Sequence, residues 1–298
     1  MTALKIMSLQ DPELYLDPDY VASYDTGIDN YWSRLCRQLV AESELGSAGI
    51  VADLGCGTGY VAREIAKEGV PVIYAIDPSR PMLDIMRKRG GLENAVVIEG
   101  TIDDLISSEL EKPDVILASG AFVVMQNPAG VLEKIYSYLG KGRRFIFTVE
   151  DWANANIEGE PLDLFFKKEE EYKDRLGLPL RNFSVTGGFT YSPEEVKQAV
   201  ADAGGQILKF HSAEMSHAAE SCFSHEYALS SVNSDIEKLE LGLKDEGTGL
   251  GRTSRILKTK AELDKLKEQR KLLLEFKALY AGKEWVVGTQ HVFHTVKI

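Results

Sequence analysis

Val51-Ala52-Asp53-Leu54-Gly55-Cys56-Gly57-Thr58-Gly59-Tyr60 decides how the rest of the chain is read. An apolar run ends in an acid and breaks into three alternating glycines, and an amphipathic segment follows. Glycines let the backbone turn tightly and let a ligand approach without a Cβ in the way. Placed between a strand and a helix, the turn presents free N–H groups at the positive end of the helix. Outward from it, short apolar runs alternate with helix-period segments, the pattern of βαβ units. The strands are expected at Ile50–Leu54, Val72–Ile76, Ala95–Ile98, Asp114–Ala118 and Arg144–Val149. Helices between them begin near Gly59, Pro81, Asp103 and Pro128. Runs such as Val115-Ile116-Leu117-Ala118 are apolar on both faces, as in a parallel sheet covered by helices.

Asp77 ends the second apolar run, eighteen residues past Gly59. In a βαβ unit an acid there lies beside the glycine turn and can accept both ribose hydroxyls of a nucleoside. The glycine spacing separates two cofactor classes. Dinucleotide sites read G-x-G-x-x-G, with the helix end open to a pyrophosphate. Here the spacing is G-x-G-x-G, and Tyr60 stands where the third dinucleotide glycine would fall. Asp53 would also repel a pyrophosphate, whereas it suits a ligand carrying an ammonium group, such as the methionine part of S-adenosylmethionine.

VADLGCGTGYVA (51–62) closely resembles the first motif of the class I S-adenosylmethionine-dependent methyltransferases, and the likeness continues downstream. AIDPSRPML (75–83) resembles the ribose-binding second motif, and EGTIDDL (99–105) stands where the family has a segment beside the adenine. PDVILASGAF (113–122), LEKIYSYLGKGRRFIF (132–147) and YSPEEVKQAVADAGG (191–205) resemble its later strands and helices. The resemblance spans about residues 20 to 215, with a last strand at 285 to 296. It implies a Rossmann-like, doubly wound, mostly parallel seven-stranded α/β sheet with helices on both faces. Position by position, it implies that Gly55, Gly57 and Gly59 line the methionine part and that Asp53 holds its amino group. Asp77 would take the ribose, Pro78 and Met82 would flank the adenine, and Thr101 and Ile102 would lie at its edge. Ser119 would offer its carbonyl, and Tyr24 would close over the cofactor. Thr101 departs from the family's usual aspartate, which leaves Asp103 to take over the adenine contact.

The remaining chain is read as additions to this core. Residues 1–48 form an N-terminal helical cap, and 49–214 with 284–298 form the cofactor-binding core, with 151–190 as its lid. Residues 215–283 are a helical insertion, a substrate lid or the arm of a homodimer. Ser192-Pro193-Glu194-Glu195 is a helix start with a capping serine, a proline at the first position and acids in the first turn. Gln206–Phe210 is the sixth strand. A charged helix from about Thr259 to Tyr280 carries Leu263, Leu266, Leu273, Phe276 and Tyr280 on one face, which needs a cover.

Composition narrows the partners. The chain has 298 residues and a net charge of −12, which opposes nucleic acid at long range. Asn127-Pro128 lacks the N-P-P-Y pattern of methyltransferases acting on bases, so a small molecule is the expected acceptor. No run approaches the roughly 20 apolar residues of a membrane span. Cys36, Cys56 and Cys222 are unpaired in pattern and point to a cytoplasmic setting. Methyl transfer depends largely on alignment and needs no elaborate catalytic set. For a nucleophile needing a base, His211 and Tyr24 are the catalytic candidates. His211, His217 and His225 lack a recognised ligand spacing, so no metal is expected. The basic run Arg252, Arg255, Lys258 and Lys260 is read as a solvated helix start, with an anion contact as the alternative. Tyr20, Tyr24, Tyr31, Trp32, Phe122, Trp152, Phe165 and Phe166 divide between core packing and the roof of a pocket. The expected function is methyl transfer to an oxygen, nitrogen or carbon nucleophile, with S-adenosylhomocysteine as product. A non-methyl reaction on the same fold, or a non-catalytic scaffold, are the alternatives.

Overall fold

The computed structural model describes residues 16, 21, 31–121, 128–151, 156–157, 160–161, 192–218, 232–241, 243, 252–279 and 284–298. Within them the chain forms two compact units. The first comprises residues 1–154, 185–216 and 287–298, and the second 155–184 and 217–286. The segment read from sequence as a lid, 151–190, is thus divided, with 155–184 grouped with the second unit.

In the first unit, helix α1 (Tyr31–Glu42) precedes an alternation of strands and helices. These are β1 (Ile50–Leu54), α2 (Tyr60–Lys67), β2 (Val72–Asp77), α3 (Arg80–Arg89), β3 (Ala95–Glu99), α4 (Ile102–Ser107), β4 (Val115–Ala118), α5 (Pro128–Tyr138) and β5 (Arg144–Asp151). Two-residue strands β6 (Asn156–Ile157) and β7 (Glu160–Pro161) belong to the second unit; α6 (Pro193–Asp202) and β8 (Gly205–Ala218) then return the chain to the first. Strand β9 (Glu284–Lys297) is the last element. The sheet runs β3-β2-β1-β4-β5-β9, and β8 pairs with β9. Four of the pairings are parallel, and β9 is antiparallel to β5. This is the seven-stranded, Rossmann-like arrangement expected from the sequence.

Strand residues alternate between two buried faces. Val51, Ile73, Leu117, Ile146 and Val292 pack with Cys36, Leu39 and Val40 of α1 and with Val61 and Ile65 of α2. Ala52, Tyr74, Ile116, Phe145, Phe147 and Phe293 pack with α4, α5 and α6 through Leu105, Leu132, Ile135 and Val196. On that second face Phe147 stacks between Phe145 and Phe293, with ring centroids 4.6 and 5.1 Å away. Each such side chain contributes roughly 1.5–3 kcal/mol by leaving water. Ser192 caps α6 as its sequence predicts, accepting from the Glu195 amide while Glu195 accepts from the Ser192 amide.

In the second unit, Asn156 and Ile157 lie opposite Pro161 and Glu160 on one side and Val286 and Trp285 on the other. Helix α7 (residues 232–241) and the long helix α8 (Arg252–Leu279) complete what is described there. Val232 and Ile236 pack against Leu263, Leu272 and Leu273. The apolar face of α8 therefore has a cover within its own chain. Lys258 and Lys260 are exposed on α8. Among the described residues no helix is long and apolar enough to cross a membrane.

Candidate cofactor site

Strand β1 ends at Leu54, and the chain turns through Gly55, Gly57 and Gly59, with φ of +75°, +52° and +78°. The outer two glycines are also required by packing. A Cβ on Gly55 would lie 2.8 Å from Ala121 Cβ, and one on Gly59 would run into the Met86 side chain. Gly57 differs, because a Cβ there would meet nothing within 4 Å. The middle of the turn therefore faces open space, where a ligand can lie against the backbone. The Gly55 and Cys56 amides donate to the Ile76 carbonyl at 2.8 and 3.0 Å, tying the turn to β2.

Asp77, the last residue of β2, is buried, and its two oxygens each accept a backbone bond. Gly57 N–H donates to Oδ2 and Ser79 N–H to Oδ1, both at 2.8 Å. Burial raises its carboxyl above the usual range, against the pull of the Ser79 and Gly57 amides. Asp53 is 1% exposed, and its Oδ2 has no hydrogen-bond partner among the described residues. Burial, then the neighbouring Asp77 charge, push its carboxyl up to about 7, and the Ala62 amide opposes them. Two acids stand near the ends of adjacent strands, and among the described residues no cation lies beside the deeper one. Such a pair suits a positively charged ligand.

The expected adenine side is assembled around the same turn. Gly100 N–H donates to the Asp77 carbonyl at 3.0 Å, pinning the segment before α4 to the end of β2. Pro78 is exposed, whereas Met82 and Ile102 are buried. Thr101 is the N-cap of α4: it accepts from the Asp103 amide, while the Thr101 amide donates to Asp104 at 2.7 Å. Its hydroxyl is thus engaged in capping. Asp103 forms an ion pair with Lys134 at 2.7 Å. Ser119, just past β4, is half-buried, with its Oγ 3.8 Å from Cys36 Sγ on α1. Burial first, opposed by that contact with Ser119, pushes the Cys36 thiol up to about 12. Tyr24, with Tyr20, Phe122, Asn127, Trp152, Phe165, Phe166, Cys222, His225 and Tyr280, lies outside the described residues. So do the side chains of Tyr31, Trp32, His217, Arg252, Arg255 and Phe276.

His211 is not beside the glycine turn. It lies on β8, four strands from β1 and so roughly 19 Å across the sheet at ~4.8 Å per strand. Its Nε2 is 3.5 Å from Glu42 Oε2.

Sequence reasoning passed over Glu150. This glutamate is fully buried near the end of β5, and its Oε1 accepts from Thr148 Oγ1 at 3.0 Å and Gln290 Nε2 at 3.2 Å. Thr148 Oγ1 in turn accepts from the Gly120 amide at 2.9 Å, next to Ser119. An acid closing the buried run Phe145-Ile146-Phe147-Thr148-Val149 is the signal that could have found it.

A family model described as a methyltransferase domain matches residues 24–209. The chain is 30% identical over 105 residues to malonyl-[acyl-carrier protein] O-methyltransferase of Halalkalibacterium halodurans, covering 33% of this chain and 38% of that protein. It is also 30% identical over 115 residues to ribosomal protein L11 methyltransferase of Caldanaerobacter subterraneus, covering 38% and 36%. The chain thus spans well under half the length of these curated relatives. Among solved structures, a chain from the complex of the Haloferax volcanii Trm112 methyltransferase activator with its assigned methyltransferase is similar in fold. The TM-score is 0.53 at 18% identity, covering 94% of this chain and 96% of that one.

Proposed function

The chain belongs to the methyltransferase-domain family, and from that premise we propose that it binds S-adenosylmethionine at the glycine turn and methylates a small molecule. When bound, the sulfonium supplies an electrophilic methyl group to an oxygen, nitrogen or carbon of the acceptor, leaving S-adenosylhomocysteine. The observation that carries this reading is Asp53, a buried carboxyl with an orphaned oxygen beside an open turn. An ammonium group is the ligand chemistry that satisfies it.

The residues present fit that cofactor. Gly57 leaves room for it, and Gly55 and Gly59 hold the turn's shape. Asp77 still has lone pairs to accept from ribose hydroxyls, since a carboxylate offers about four and the backbone uses two. Pro78 is exposed beside the turn to take the base, and Met82 and Ile102, both buried, support that wall from the core. Ser119 contributes a carbonyl at the end of β4. Holding acceptor and methyl in line is worth about 7–11 kcal/mol, so positioning supplies much of the rate.

By their names, the two curated relatives act on a carrier-bound malonyl group and on a ribosomal protein. The small-molecule reading therefore rests on this chain's own features. Its charge of −12 opposes nucleic acid, and the segment after β4 lacks the base-methylating pattern.

The test is a thermal-shift comparison with S-adenosylmethionine, S-adenosylhomocysteine and NAD. At about 100 times its dissociation constant a ligand adds ~2.7 kcal/mol, several degrees for a domain of this size. Stabilisation by both sulfur compounds and not by NAD is expected. A screen for acceptors gaining the mass of one CH2 then follows. Stabilisation by NAD alone, or by none of the three, overturns the proposal.

A further inference from the structure

Three residues far apart in sequence meet on the α1 side of the sheet. Glu42 ends α1, His211 lies on β8 and His294 on β9, all within the first unit. Glu42 Oε2 is 3.5 Å from His211 Nε2 and 4.0 Å from His294 Nε2. One donor atom from each falls within 4.8 Å of the other two. His294 is 6% exposed, and its Nε2 is buried with no hydrogen-bond partner among the described residues. At 4.0 Å the carboxylate is too far to be that partner.

We propose that Glu42, His211 and His294 form a binding site for a divalent transition cation of the zinc class. The site is distinct from the glycine turn. Across the sheet, Asp53 pairs with Leu117, Leu117 with Ile146, and Ile146 with His294. Three strand spacings put His294 roughly 14 Å from Asp53 at the same level.

The donor set selects the ion. Two imidazoles and one carboxylate suit zinc, cobalt or nickel, whereas calcium and magnesium prefer oxygen throughout. Zinc holds such ligands at about 2.0–2.2 Å and in tetrahedral sites takes four, so its donors lie roughly 3.3–3.5 Å apart. The Glu42–His211 separation already meets that. The separations from His294, 4.0 Å to Glu42 and within 4.8 Å to His211, close by rotation of the Glu42 carboxylate and the His211 ring, both partly exposed. Three protein donors leave one position for water or an outside ligand.

Glu42 is already engaged: Lys209 Nζ lies 2.9 Å from its Oε2 on a half-exposed side chain, and Gln38 Nε2 donates to its Oε1 at 2.7 Å. A metal ion would displace that flexible ammonium to solvent. The sequence sets His211 beside His217 and His225 and leads to no expected metal; the proposed site instead joins His211 to Glu42 and His294.

Zinc sulfate is the probe, titrated into the chelator-stripped full chain against a chromophoric competitor, with bound metal counted by mass spectrometry. One equivalent per chain is expected. Cobalt in its place should give the intense visible bands of a four-coordinate site. Glu42→Gln and His211→Gln, both at partly exposed positions, should each weaken zinc at least a hundredfold while retaining the parent's circular dichroism. Lys209→Met should tighten it severalfold, because it frees Glu42 Oε2 from a competing cation. No stoichiometric zinc, or an equivalent that survives both glutamine variants, overturns the proposal; the latter would assign the metal to other residues.

Discussion

The Gly57 amide donates to Asp77 Oδ2 at 2.8 Å, so the open centre of the first turn is fixed by the acid that ends the second strand. One carboxylate thus shapes the turn and faces the expected ribose. Asp77→Asn replaces one acceptor oxygen with a donor, opposing an amide and a hydroxyl together. Hydrogen bonds to a charged group are worth about 1.5–3 kcal/mol each. Losing one such ribose bond should lower S-adenosylhomocysteine affinity roughly 10- to 150-fold, while the loss of a buried charge keeps melting within several degrees of the parent. Isothermal titration beside a melting curve checks this, and unchanged affinity would place the ribose elsewhere.

Asp53 gives a pH signature. Its folded-state pKa of about 7 lies above the ordinary aspartate value, so between about pH 4 and 7 the folded chain holds a proton that the unfolded chain has released. Stability from this group is full below about pH 4, falls by roughly 1.4 kcal/mol per unit from there toward 7, and is lost above it. Asp77 and Glu150 are also raised and slope the same way, so the informative quantity is a difference. Asp53→Asn should be more stable than the parent at pH 8 without ligand and little different at pH 4.5. An ammonium ligand reverses the preference, because it favours the carboxylate. Cofactor binding should therefore release close to one proton near pH 6.5, as read by titration in buffers of different ionisation enthalpy.

Two glycines of the turn should separate folding from binding. Gly59→Ala meets both a left-handed φ of +78° and the Met86 side chain. Left-handed backbone costs about 1–2 kcal/mol and overpacking about 1–3 more, so a clear fall in stability is expected. Gly57→Ala carries the backbone cost alone, because its Cβ enters open space. That Cβ fills the place assigned to the cofactor. The Gly57 variant should lose more ligand affinity than stability, and the Gly59 variant the reverse. Chemical denaturation and ligand titration on the same two proteins decide it.

The sequence was informative where the chemistry is local. β1 starts and ends where its apolar run does, and β2, β3, β4 and β5 differ by one or two residues at their ends, where the first or last ladder bond forms or is lost. The glycine turn and Asp77 were also legible, because strand, turn and helix follow one another along the chain. β8 was not: it continues to Ala218, eight residues beyond the expected end at Phe210, through polar residues such as Ser212 and Glu214. Pairing with β9 extends it, and no local pattern records that partner. For the same reason Glu42, His211 and His294 were invisible as a group, since β9 must first insert between β5 and β8 to bring them together.

The chain of bonds from Gly120 through Thr148 to Glu150 supports a last prediction. Thr148 Oγ1 accepts from the Gly120 amide and donates to Glu150 Oε1, which Gln290 also reaches. Thr148→Val keeps the shape but leaves the half-buried Gly120 amide without this acceptor, a cost of about 1 kcal/mol. Thr148→Ser should recover most of it. Burial raises the Glu150 carboxyl, against the Gln290 and Thr148 bonds that favour its charged form. The stability that its proton gives is full below the ordinary glutamate value and falls as pH rises toward the raised folded-state value. Glu150→Gln should match the parent near pH 4 and exceed it in stability at pH 8.5, read as denaturation midpoints. Glu150 Oε2 has no hydrogen-bond partner among the described residues; if the parent were instead the more stable at pH 8.5, that oxygen would have a cationic partner in the folded protein, and burial would not govern this acid.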